Sequence, residues 1–216
     1  MAEDRFRDLR KEYASHGLDI DDVVADPIEQ FRLWFDAAAA TDLHEPNAMT
    51  LATSTAEGRP SARMVLLKSF DERGFVFYTN YHSRKAQELA DSGYASLVFW
   101  WGPLERQIRI EGAVEKVSVE ESDAYYQSRP FGSRLGAWVS PQSEVISGRE
   151  LLEERLQELQ EKYQTDAQIP RPEHWGGYRV KPDRIEFWQG GAKRLHDRLK
   201  YERNGNNSWN IVRLAP

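Results

Sequence analysis

RMVLLKSFDERGFVFYTNYHSRK, Arg63–Lys85, decides how the chain is read. Val65, Leu66 and Leu67 form an apolar, partly β-branched run, and Asp71-Glu72-Arg73-Gly74 supplies turn chemistry. Phe75–Thr79 is a second β-rich run. Asn80–Ser83 then offers a helix cap, with Arg84 and Lys85 just inside and a periodic segment running to Gly93. Free amides at a helix start, beside two cations, suit a phosphate. Arg63 and Lys68 bring two more cations on the neighbouring strand. A solvated hairpin with surface charges has the same pattern.

On the N-terminal side, Phe6, Leu9 and Tyr13 share one helical face, and Gly17 can end that helix. Asp26 caps the next helix, Pro27 opens it, and Glu29 fits a capping box. Ile28, Phe31, Trp34, Phe35 and Ala38 give it a broad apolar face. From Met49 the period becomes two. Met49–Thr55, Ala62–Phe70, Ala95–Trp101 and Glu105–Val117 read as strands, the last with Gln107, Arg109 and Glu111 on one face and Ile108 and Ile110 on the other. Antiparallel strands, short turns and few helices predict a small closed or half-closed barrel, mostly β with flanking helices (α+β).

Ser118–Gln127 reads as a helix that Pro130 ends. Tyr125 and Arg129 are four apart and share a face, with Ser133 in the following turn. Phenol, guanidinium and hydroxyl could hold a second anion there; a helix end with a surface arginine reads the same. Gly148–Tyr163 is a charged helix whose leucines suit core or dimer packing, and Thr165–Trp175 is a loop. Gly177–Val180, Ile185–Gln189 and Lys193–Tyr201 are strands, and Asn204–Asn207 turns into Ser208–Leu214. Strand alternation over Lys193–Tyr201 puts Arg194, His196 and Arg198 on one face, with Leu195 and Leu199 opposite. Such a face needs an anion, or else is an exposed basic strand.

The 216 residues suit one domain with a real core. The formal net charge of -6 argues against wholesale binding to nucleic acid or an anionic membrane, so basic patches have local targets. The chain has no cysteine, which excludes disulfides, thiol catalysis and iron–sulfur ligation and fits a reducing cytoplasm. No apolar run nears the roughly 20 residues of a membrane span. The five histidines lack metal-ligand spacing, and no dinucleotide or P-loop glycine motif is present.

Several longer motifs go further: RMVLLK at Arg63–Lys68, FYTNYHSRKA at Phe77–Ala86 and ERQIRIEG at Glu105–Gly112. Tyr125 with SRP at Ser128–Pro130, GAWVSPQS at Gly136–Ser143, FWQGGAKRLHDR at Phe187–Arg198 and the terminal RLAP complete the set. In this order they resemble the pyridoxamine 5′-phosphate oxidase family, along nearly the whole chain. The resemblance implies an FMN-binding split β-barrel. It implies a homodimer with FMN at the subunit interface. It implies oxidation of pyridoxamine or pyridoxine 5′-phosphate by dioxygen to pyridoxal 5′-phosphate, with release of hydrogen peroxide and, from the amine, ammonia.

By the same resemblance, FMN is held by Arg63, Met64, Val65, Leu66, Leu67, Lys68, Tyr78, Thr79, Arg84, Lys85 and Gln107. Gln142 and Ser143 reach it from the partner chain, and Trp188 and Arg198 complete the site. The substrate phosphate falls to Lys68, Tyr125, Arg129 and Ser133. Arg194, Leu195 and His196 lie over the substrate ring, with Arg194 and His196 catalytic. Residues 1–17 form a lid to which Arg10, Lys11, Glu12 and Tyr13 belong, and 175–216 complete the barrel. Two details stand out. Arg63 and Lys68 are five apart and would face opposite sides of a regular strand. Glu45 precedes Pro46 where the family pattern leads us to expect aspartate.

Overall fold

The computed structural model describes residues 12–13, 17–163, 169–205 and 208–216. The expected helix through Phe6 and Leu9, and the lid residues Arg10 and Lys11, lie outside these. Among the described residues, five α-helices and nine strands follow in chain order: α1 Pro27–Ala39, β1 Ala48–Ser54, β2 Pro60–Leu66, β3 Ser69–Asp71, β4 Gly74–Asn80, α2 Arg84–Ser92, β5 Tyr94–Trp101, β6 Arg106–Lys116, α3 Val119–Ser128, α4 Phe131–Val139, α5 Glu150–Lys162, β7 Trp175–Gln189, β8 Asp197–Arg203 and β9 Trp209–Leu214. The strands hydrogen-bond in the order β2-β1-β5-β6-β7-β4-β3, with β8 on β7 and β9 on β8. This is the mostly β, split-barrel arrangement that the sequence predicts.

The chain divides into two compact units. One holds the described residues up to Met49 with Leu97–Glu111 and Pro182–Pro216; the other holds Thr50–Ser96 and Gly112–Lys181. In the first, α1 packs its apolar face as its periodicity requires. Phe31 meets Phe99 edge-on at 5.2 Å, and Trp34 meets Phe187 edge-on at 5.2 Å. Asp26 caps α1 by accepting from the Ile28 amide, but Glu29 instead pairs with Arg32 at 3.2 Å, so the expected capping box does not form.

In the second unit, β4 pairs antiparallel with β7, Phe77 opposite Tyr178 and Asn80 opposite Trp175. Phe75 and Phe77 are fully buried. The two-residue turn from β3 to β4 closes on Asp71, which accepts from the Arg73 amide and guanidinium. One expected strand, Ala62–Phe70, breaks at Leu67 and Lys68. Leu67 turns into the core, and the Lys68 amide donates to the Val76 carbonyl. That break removes the alternation problem: Arg63 and Lys68 need not face opposite ways.

Two further expectations are corrected. Gly177–Val180 and Ile185–Gln189 are one continuous strand, β7, because Pro182 sits within it without ending the pairing. Ser133 lies not in a loose turn but in the first turn of α4, which two glycines and a serine obscured.

Gly74 has φ +136°, and a Cβ there would run into the Val180 carbonyl oxygen. Gly74→Ala is therefore expected to destabilise the protein by about 2–4 kcal/mol in chemical denaturation, with no change in the denaturant slope.

Candidate functional site

A cavity of about 560 Å³ opens within the second unit. Its wall carries Arg63, Met64, Val65, Leu66 and Lys68 from β2 and the break after it. Tyr78 and Thr79 come from β4 and Lys85 from α2. Tyr125 and Arg129 come from the end of α3, Ser133 from α4, and Gln142 from the segment after α4. The two corners expected to hold anions thus belong to one cavity.

One corner is built on Lys85. Its Nζ lies 3.2 Å from Thr79 Oγ1 and 2.7 Å from Gln142 Oε1. Burial, with the charge of Arg63 second, lowers the Lys85 ammonium to about 8. A nearby anion would reverse that. Gln142 reaches this cavity from its own chain, not only from a partner as the resemblance implied. Ser143 is exposed, with φ 75°, and Arg84 is likewise outside the cavity wall, tied to Glu88 at 2.8 Å. Leu67 is buried beneath the wall rather than lining it.

The other corner is aromatic. Tyr78 and Tyr125 stack at 3.9 Å, and Tyr78 and Trp175 at 5.4 Å. Burial, and then Glu121, push the Tyr78 phenol up to about 12, so it stays protonated. The Arg129 guanidinium lies 4.6 Å over the Trp175 ring. Its Nη1 is buried and has no partner among the described residues. Burial lowers the pKa of Arg129, but an arginine stays charged. A buried, unanswered N–H on a charged group is costly, so an acceptor in the cavity is the fitting partner. Ser133 adds a hydroxyl in the first turn of α4, whose N-terminus has no side-chain cap. Among the described residues, neither Lys68, Lys85 nor Arg129 forms a salt bridge.

The first unit carries a second cluster. The strand expected over Lys193–Tyr201 begins only at Asp197; Ala192–Arg194 form a 3-10 turn in which Lys193 and Arg194 have φ 54° and 63°. Arg194, His196 and Arg198 therefore do not share a strand face. Leu195, expected on the same strand face as Leu199, is 71% exposed, whereas Leu199 is buried. The left-handed turn was invisible because neither Lys193 nor Arg194 favours that backbone.

Within this turn the His196 ring lies 4.7 Å from Trp188 and 5.7 Å from Tyr13. Its Nδ1 accepts from the Gly191 amide at 3.1 Å, so the neutral ring carries its hydrogen on Nε2. A Cβ on Gly191 would strike the Leu195 carbonyl oxygen, which explains the glycine. Arg194 is exposed and forms no ion pair among the described residues, and Glu12 is exposed. Gln107 is half-buried on β6. Arg198 is gripped in a fork by Glu186, at 2.9 and 3.1 Å, and donates to the Ala215 carbonyl. Sequence reasoning missed Glu186, although its place opposite a basic strand hinted at it. It also missed the buried Glu88, whose position on α2 reads as solvent-facing.

Comparison with known proteins identifies the family. Residues 35–163 match the family model described as pyridoxamine 5′-phosphate oxidase. Residues 175–216 match that of the pyridoxine 5′-phosphate oxidase C-terminal dimerisation region. The pyridoxine/pyridoxamine 5′-phosphate oxidase of Trichormus variabilis is 62% identical over 209 residues, covering 97% of each chain. That of Salinibacter ruber is 55% identical over 213 residues, 98% of this chain and 99% of the relative. A solved structure of PhzG from Burkholderia lata 383, in complex with tetrahydrophenazine-1-carboxylic acid, superposes with a TM-score of 0.86. It is 35% identical and covers 93% of this chain and 98% of that one. An FMN-binding protein of Nostoc punctiforme, 18% identical with a TM-score of 0.70 over 90% of this chain and 100% of its own, shares the fold. The matches span both ends of the chain and the cavity between them in sequence: the chain belongs to the pyridoxamine 5′-phosphate oxidase family.

Proposed function

We propose that the chain oxidises pyridoxamine 5′-phosphate and pyridoxine 5′-phosphate to pyridoxal 5′-phosphate with FMN and dioxygen, releasing hydrogen peroxide and, from the amine, ammonia. The observation that carries this is the single cavity with a cationic group at each of two corners, one of them the unanswered Arg129 Nη1. Two phosphates on two flat rings need such a pair of anchors. The high identity to proteins named for this activity supports the same reading.

The cavity residues fit FMN. Arg63 and Lys85, steadied by Thr79 and Gln142, would take its phosphate, and Met64, Val65 and Leu66 would wall the ring. Trp188, Arg198 and Gln107 would complete the site in a homodimer, as the match to a dimerisation region supports. FMN, when bound, supplies the electron-accepting ring and the route to dioxygen.

The chain's own residues bind, orient and handle protons. Lys68, Tyr125, Arg129 and Ser133 would hold the substrate phosphate. Fixing that end limits how the ring can lie and removes much of the entropic barrier. Arg194 would orient the group at C4′. The tautomer imposed on His196 by Gly191 leaves Nε2 to hold or give a proton there. Tyr13, packed on Trp188 and His196, would shield that end from water. We place the protein in the cytoplasm, as its cysteine-free sequence fits. Among the described residues no helix is long and apolar enough to cross a membrane.

Four outcomes follow from these assignments. Purified protein should show flavin absorption and produce peroxide with pyridoxamine 5′-phosphate in air. In Arg129→Ala, KM for that substrate should rise ~10–100-fold, the loss of a charge-assisted contact of about 1.5–3 kcal/mol; an unchanged KM removes Arg129 from the phosphate corner. Arg194→Ala should cut kcat about 100-fold while FMN content per chain stays the same. Because Lys85 is lowered to about 8, it is cationic below that pH and neutral above. FMN affinity should therefore fall as pH rises through 8, with proton uptake on binding in calorimetry, and Lys85→Met should flatten that dependence.

A further inference from the structure

Glu88 lies on α2, and its side chain is only 4% exposed. It does not line the cavity. Its Oε2 accepts from the Thr53 hydroxyl, from the Ser61 hydroxyl at 2.5 Å and from Arg63 Nη2 at 3.2 Å. Its Oε1 accepts from Arg84 Nε at 2.8 Å. Burial alone would raise its pKa. Hydrogen bonds from Ser61, Thr53, Arg84 and Arg63 outweigh that and hold it at about 2, so it is a carboxylate at every working pH.

The two hydroxyls make the arrangement directional. Each has one hydrogen, and each gives it to Glu88. Their lone pairs are then turned toward Arg63: Nη1 donates to Thr53 Oγ1 at 2.5 Å and Nη2 to Ser61 Oγ at 2.5 Å. Nη1 also donates to the Leu51 carbonyl at 3.2 Å. Four of the five N–H groups of Arg63 are thereby fixed by protein groups, which leaves Nε–H. Arg63 is a wall residue of the cavity, half-buried, on the side that also holds Lys85. A helix carboxylate, one turn inside α2 from Lys85, thus sets the attitude of the arginine on β2.

Charge alone argues the other way. A buried anion beside an anion site weakens that site by Coulomb repulsion. Its presence there makes sense if orientation outweighs repulsion, because a guanidinium left free loses rotamer entropy on binding and binds worse.

We propose that Glu88 is a positioning residue for the cofactor phosphate: through Thr53 and Ser61 it locks the Arg63 guanidinium in the geometry that receives that group. This rests on the reading of the cavity as an FMN site. It adds to that reading the specificity for the phosphorylated flavin over riboflavin, which has the same ring and no phosphate.

The test measures dissociation constants of FMN and riboflavin for full-length protein stripped of flavin, by quenching of flavin fluorescence, with wild type, Glu88→Gln and Glu88→Ala. Wild type should prefer FMN strongly. Glu88→Gln keeps the volume and the acceptor oxygen but not the charge or the second acceptor. It should weaken FMN about 10-fold and leave riboflavin where it was, so that the ratio falls; Glu88→Ala should lower the ratio further. A general loss of structure would weaken both ligands together, and thermal melting of each variant identifies it. If riboflavin weakens in step with FMN, or if FMN binds equally well or tighter in a folded Glu88→Gln, Glu88 does not position Arg63 for phosphate. If wild type itself fails to distinguish the two flavins, the FMN reading of the cavity fails instead.

Discussion

Positive charge that the protein does not neutralise for itself is the constraint on which the cavity depends. Lys68, Lys85 and Arg129 share its wall with Arg63, and among the described residues Arg63 alone of the four has a carboxylate partner. Like charges in one cavity repel, and the cost grows as water is excluded. Burial lowers Lys85 to about 8, and the charge of Arg63 adds to that fall. On the function proposed above, ligand phosphates supply the missing anions.

The surrounding structure keeps these groups from collapsing onto other partners. Arg129 rests on the face of Trp175, an interaction worth about 0.5–2 kcal/mol that directs the cation without neutralising it. Trp175 is held by the pairing of β4 with β7, and Tyr78 and Tyr125 stack against it. Arg63 is held differently, by a cage of hydroxyls around Glu88. The two corners use opposite means to one end: one cation lies on an aromatic face, the other is bound by a buried acid. Arg198 repeats the second device in the other unit, with Glu186 as its acid.

Much of this was legible in the chain. The alternation of Met49–Thr55 and of Glu105–Val117 marked strands because a half-buried strand must alternate. Asp26-Pro27 marked the start of α1 because capping is chemistry of a few neighbouring residues. The spacing of Tyr125 and Arg129 placed both at one helix end, and Ser133 nearby. Where reading failed, the deciding forces were not local. The left-handed turn at Lys193 and Arg194 goes against the preference of both residues, and the surrounding structure imposes it. The break at Leu67 and Lys68 falls where no turn residue marks it, at the end of an apolar run, and the pairing of Lys68 with Val76 sets it.

The sequence by itself determined the class of fold, the run of most elements, the family and the residues that bear charge. The fold class and the elements follow from period and local turn chemistry, and the family from the resemblance of its motifs in their order along the chain. Only the tertiary structure decided which charges are answered and which are left open. Glu88 and Glu186 look like ordinary polar positions until folding buries them against Arg63 and Arg198, whereas Arg129 looks like a surface cation until its Nη1 is sealed without a partner. Burial and pairing are properties of neighbours brought together from distant parts of the chain, and no local pattern encodes them.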